Sequence, residues 1–156
     1  MLGFLFRGAT AGFAATIPMT AVILALHRLL PREREMELAP FEVAEGVAEV
    51  TGVEAAVPEE VLVPGEIVAH FGYGAAAGVL HQALTGTSIM ARMAFGAIFG
   101  FAVWAASYLG YLPALRIRRP ATRDPWQRNF TMIVAHLVWG ATLGLLAARL
   151  RVTDED

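Results

Sequence analysis

Four stretches of this chain, near residues 8–30, 66–86, 90–113 and 129–149, hold almost no charge away from their ends. Each is long enough for a helix to cross a hydrocarbon core, which takes about 20 apolar residues. The apolar fraction of 56% also exceeds the roughly 45–50% of soluble domains. The pattern predicts one all-α integral membrane domain over 1–156 with four transmembrane helices. The first stretch has to be weighed against a signal peptide, because Arg7 precedes it and "FAAT" could pass for a cleavage motif. Its apolar run is longer than the usual 7–15-residue signal core, so a retained transmembrane helix is expected.

The second constraint is a phrase written twice. Residues 67–78 read "IVAHFGYGAAAG" and residues 133–144 read "IVAHLVWGATLG". The other two stretches share "GATAGFA" (8–14) and "GAIFGFA" (96–102). Every stretch therefore carries Gly-Ala-x-x-Gly: Gly8 and Gly12, Gly74 and Gly78, Gly96 and Gly100, Gly140 and Gly144. Glycines four apart share one helix face and let a neighbouring backbone approach closely. The first and second stretches read as a unit repeated in the third and fourth. A two-helix unit returns the chain to its starting side, so the two repeats are expected to be parallel, related by an axis along the membrane normal.

The connections carry the polar residues. Eight arginines (Arg28, Arg32, Arg34, Arg116, Arg118, Arg119, Arg123 and Arg128) belong to the connections after the first and third stretches. Four (Arg7, Arg92, Arg149 and Arg151) flank the other face. This bias places loops 31–65 and 114–128 in the cytoplasm and the termini outside. The first loop opens with the charged run "PREREMEL". It continues through a short amphipathic helix near 40–52, with Phe41, Ala44, Val47 and Ala48 on one side and Glu42, Glu45 and Glu49 on another. The acidic face favours docking on the bundle or a partner over anionic lipid. Pro58 and Pro64 are expected to break the loop before the second stretch. Pro18 interrupts the first stretch and predicts a kink beside Thr16 and Thr20.

The strongly titratable groups at membrane depth are four histidines: His27, His70, His81 and His136. At 100° per residue, His70, Tyr73, Gly74, Ala77, Gly78 and His81 form one stripe. His136, Trp139, Gly140, Leu143 and Gly144 form its counterpart, so both stripes should face the bundle interior. With Tyr108 and Tyr111, they predict a polar, aromatic cluster under the long first loop: His27, His70, Tyr73, Tyr108, Tyr111, His136 and Trp139. Its structural reading is hydrogen bonding between helices. Its chemical reading makes His70 and His136 ligands of haem b or another metal, or the wall of a quinone pocket. His81 has no histidine counterpart, since Ala147 stands in its place.

Several classes are excluded or weakened by absences. Without cysteine there is no disulfide, thiolate metal site or covalent c-type haem. All 12 basic residues are arginine, so no lysine is available for a Schiff base. The net charge of −2 argues against nucleic acid as a partner. No carboxylate lies within the apolar stretches away from their ends to relay protons or bind a coupled cation. Ser88 and Ser107 have no acid and base at triad-like positions.

The strings "GATAGFAATIPMT", "HFGYGAAAG", "GFAVWAASYLGYLPAL" and "AHLVWGATLG" resemble a group of small bacterial membrane proteins of unknown function, related to the YagU-like inner-membrane family. The resemblance covers most of the chain, least clearly 31–65, and implies a polytopic bacterial inner-membrane protein with no catalytic residues to carry over. The expected function is non-enzymatic: a structural or accessory subunit without cofactor, surrounded by the lipid bilayer and partnered by another membrane protein or a second copy. The alternatives are a bundle binding haem, metal or quinone, and a small-solute transporter or channel.

Overall fold

In a computed structural model, residues 2–29, 39–52, 59–84 and 89–152 are described, and they are helical almost throughout. Helix α1 spans Leu2–Leu29, α2 Ala39–Thr51, α3 Glu59–Leu84 and α4 Ile89–Ala105. The α4 rod continues through a π-helical turn, Ala106–Tyr111, into the short α5, Leu112–Ala114. A 3₁₀ turn at Ala121–Arg123 then leads to α6, Trp126–Val152. The run 31–38, Pro58 and the side chains of Phe41, Glu42, Ala44 and Glu45 lie outside the described residues.

Three helical rods are long and apolar enough to cross a membrane: Gly3–Leu29, Met90–Ala114 and Trp126–Leu150. The stretch expected at 66–86 departs from that expectation. Helix α3 has the length, at 26 residues, but His70, Tyr73, His81 and Gln82 dilute its apolarity. It also begins at Glu59, and Pro64 lies inside it rather than ahead of it. A proline one turn into a helix forfeits a single backbone bond while keeping a helical φ, so the helix runs through.

Close glycine contacts bring the rods together in two antiparallel pairs. A side chain on Gly12 would meet the Gly74 carbonyl oxygen, and its Cβ would stand 2.9 Å from Gly78 Cα. Gly8 lies against Gly78 and Val79, so α1 and α3 touch backbone to backbone. In the second pair Gly96 and Gly140 each face the other's carbonyl oxygen. Gly100 then meets the His136 carbonyl, and Gly144 that of Arg92. The two pairs join along α1 and α6, where the buried Trp139 indole donates to the Gly12 carbonyl at 3.3 Å. Ala11, Ala15, Met19, Leu143 and Ala147 are buried in the same core.

Pro113 accounts for the π turn. It has no N–H for the Leu109 carbonyl, and Leu112 N–H bonds instead five residues back to Ser107 O. The rod then ends in a Schellman arrangement, with Ile117 N–H on Leu112 O at 3.0 Å and Arg116 N–H on Pro113 O at 3.1 Å. Arg116 occupies the left-handed position, φ 60°, where glycine is usual. Helix α2 docks on this corner: Gly46 is buried against the Ile117 carbonyl, and Val43 is half-buried beside the core.

Candidate functional site

The polar residues at the loop-bearing end of the rods form a connected layer. On α1, Thr20 back-bonds to Thr16 O at 2.8 Å, a partner available because threonine hydroxyls fold onto the preceding turn. The same hydroxyl lies 3.5 Å from His70 Nε2 on α3. One turn along α3, Tyr73 reaches across to the π turn. Its hydroxyl is 3.3 Å from Ser107 Oγ and accepts from Tyr111 at 3.0 Å, and Ser107 and Tyr111 are 2.9 Å apart. Three hydroxyls thus close a triangle. The wider π turn presents Ser107 and Tyr111 together on the side facing α3.

On α6, His136 is buried, and its Nδ1–H donates to the carbonyl of Met132 at 2.7 Å. That bond leaves Nε2 as the nitrogen with the lone pair. The Tyr108 and His136 rings meet edge to face, with their centroids 6.0 Å apart. Tyr108 in turn carries the Arg118 guanidinium 4.9 Å above its ring.

Arg118 belongs to the short connection between α5 and α6 and pairs with Asp124 at 2.8 Å, with both side chains only 1% exposed. Arg128 lies 3.9 Å from the same carboxylate and Arg119 lies 3.4 Å from it. Asn129 holds the Ala121 carbonyl at 2.8 Å, so the connection is braced at both ends. The layer therefore runs from Asp124 through Arg118, Tyr108 and His136 toward His70 and Thr20.

Of the residues expected to cluster, His70, Tyr73, Tyr108, Tyr111 and His136 share this layer. Trp139 is one turn deeper, on the α1–α6 seam. His27 is half-buried near the end of α1 and makes no hydrogen bond or ring contact with the others among the described residues. Among the described residues, no three of His, Cys, Asp and Glu gather to hold a metal ion.

Sequence reasoning passed over the other end of the rods. There His81 is fully buried, its ring 5.7 Å from Phe95 and 5.4 Å from Phe99. Arg92 is 2% exposed and donates to Ala147 O at 3.5 Å. The signal was present in the spacing, because Arg92, Gly96 and Gly100 lie four apart on the packing face. Treated as a flank charge, Arg92 was counted only for orientation. The Asp124 clamp was missed for a similar reason: loop arginines were read as charge and not as partners.

The fold and this layer define an all-helical protein with three rods fit to cross a membrane. Residues 42–145 match the family described as protein of unknown function (DUF1440), which covers more than half of the chain, and the chain belongs to that family. Comparison with curated proteins finds no match, and comparison with solved structures finds none.

Proposed function

We propose that this protein is a non-enzymatic, four-helix integral membrane protein of the bacterial inner membrane, related to the YagU-like family, serving as a structural or accessory subunit. The fourth span in this reading is α3. Its support is that α3 lies antiparallel along α1, from Gly78 at Gly8 to His70 at Thr20, about 18 Å along α1 and about 12 Å along α3 at 1.5 Å per residue. The backbones touch at Gly8 and Gly12 against Gly74, Gly78 and Val79, and side chains continue the contact to Thr20 and His70; a helix laid along a spanning helix in this way shares its depth. The duplicated glycines support two parallel repeats, and the arginine bias supports cytoplasmic loops at 31–65 and 114–128.

The observation that carries the structural role is where the polar side chains go. Thr16 bonds to Gly12 O, Trp139 to Gly12 O and His136 to Met132 O, while Tyr73, Ser107 and Tyr111 bond one another. Each satisfies a neighbour at membrane depth, where an unmet polar group is costly. The test is thermal unfolding of His70→Ala, His136→Ala and the double variant in mild detergent. Losses near 0.6 and up to about 1.7 kcal/mol each are expected; an unchanged double variant would refute a structural role.

A second reading rests on one observation, the His136 imidazole. An Nδ1–H held by a carbonyl, with Nε2 unprotonated, is the arrangement metal-bound histidines adopt. His70 would be its partner, and a haem or metal held there would supply redox or Lewis-acid chemistry. Absorbance and metal analysis of the purified protein decide between the readings. A Soret band or one metal per chain, lost in either variant, would replace the structural reading.

A further inference from the structure

We propose that the short connection between α5 and α6 is a binding ledge for the headgroups of anionic phospholipids. The inference starts from how this connection divides its arginines. Arg118 and Arg128 are buried on Asp124. Their burial, the Arg118 contact with Tyr108 and the Asn129 bond to Ala121 O make the segment a rigid platform. Three further arginines, Arg116, Arg119 and Arg123, are exposed on that platform. Asp124 is the one carboxylate within ion-pair distance of any of them among the described residues, and it is already held by the buried pair. Among the described residues, then, the ledge carries more arginines than carboxylates.

Its surroundings locate that charge. Leu109, Leu115 and Phe130 are exposed around the ledge, and Trp126 is 63% exposed at the start of α6. Exposed apolar side chains on spanning rods face acyl chains, and tryptophan at a helix start marks the headgroup level. The guanidinium groups thus stand where lipid phosphates lie. Arg116 is also held by the left-handed corner, so its backbone direction is set before any lipid arrives. Each guanidinium draws a lipid phosphate by its charge, and exposure leaves these three able to do so. A lipid headgroup, tethered by its own chains against Leu115 and Phe130, fits this combination of charge and apolar rim.

The experiment uses the full chain in phosphatidylcholine vesicles containing brominated phosphatidylglycerol or brominated phosphatidylcholine at equal mole fraction. Trp104 and Trp139 are buried, so quenching of tryptophan emission reports chiefly on lipid at Trp126. The anionic quencher should be preferred, with about fivefold of the preference contributed by each exposed arginine. The variant Arg116→Gln/Arg119→Gln/Arg123→Gln should lose the preference. The corresponding Arg→Lys variant, which keeps the charge, should retain most of it. Equal quenching by the two lipids in the unmodified protein would overturn the proposal, as would a preference that survives the glutamine variant or disappears in the lysine variant. Abolition of the preference by millimolar inorganic phosphate would also overturn it, assigning the arginines to a free anion.

Discussion

The α1–α3 and α4–α6 pairs are built from the same phrases, yet they use their glycines one turn apart. Gly8 faces Gly78 and Gly12 faces Gly74 in the first pair. A faithful copy would set Gly96 on Gly144 and Gly100 on Gly140. Instead Gly96 faces Gly140, and Gly144 meets Arg92. The difference follows from one position. Thr16 lies directly on Gly74, and its counterpart in the aligned strings is Trp104. An indole does not fit where a threonine touches a backbone, so the second pair slides by a turn. A packing motif thus says which faces meet, while the residue beside it sets the register.

The same contrast appears where the pairs join. Trp139 and Tyr73 occupy the same place in the duplicated phrase. Trp139 bonds to the α1 backbone across a tight seam, whereas Tyr73 reaches only the side chains of Ser107 and Tyr111. Two-fold symmetry would make these seams alike. Instead α3 and α4 meet through long side chains, Tyr73 at one end and His81 with Phe95 and Phe99 at the other.

The most severe test of this contrast is overpacking at the glycines. Gly12→Val and Gly140→Val should each prevent assembly, because either side chain would overlap a carbonyl oxygen. Gly72→Ala meets open space and should be neutral or stabilising by up to about 1 kcal/mol. Folded, unshifted Gly140→Val protein in detergent would break the register assignment.

The connections differ too, since the one between α5 and α6 is clamped by a buried carboxylate. Asp124→Asn removes the carboxylate charge that Arg118 and Arg128 both approach and should cost about 3–5 kcal/mol, read by thermal or denaturant unfolding. A loss below about 1 kcal/mol would mean that the clamp is surface-like.

Smaller effects sharpen the seam comparison. Trp139→Phe removes the bond to Gly12 O and should cost more than Tyr73→Phe, which leaves the Ser107–Tyr111 bond in place. Values near 1 kcal/mol and about half of that are expected for intramembrane bonds; equal losses would argue for equivalent seams. Arg116→Gly relieves a left-handed backbone and should stabilise the fold by about 1 kcal/mol, seen as a raised melting temperature.

The helical rods and the glycine faces were legible because both depend on composition and on a period of 3.6 residues. The layer was legible in part: His70, Tyr73, Tyr108, Tyr111 and His136 were placed at one depth by counting along their helices. His27 was grouped with them by depth and by the face it shares with Gly12, Thr16 and Thr20, and neither makes a contact. Spacing alone puts Ser107 on the same face as Tyr111, and the structure adds its contacts with Tyr73 and Tyr111. Helix α3 starts at Glu59, ahead of the expected 66, with Pro64 inside it rather than ahead of it.

By itself, then, the sequence determined that the chain is helical and apolar in long segments, four by its own reading where three helical rods qualify, and that each segment carries a Gly-Ala-x-x-Gly face. Those are properties of single segments, set by backbone geometry and transfer from water. The tertiary structure alone decided the register of each pair, the tight and open seams, the ring contacts of His81, and the burial of Arg92 and the Asp124 clamp. Such features depend on which side chains collide or pair across helices, and no single segment carries that information.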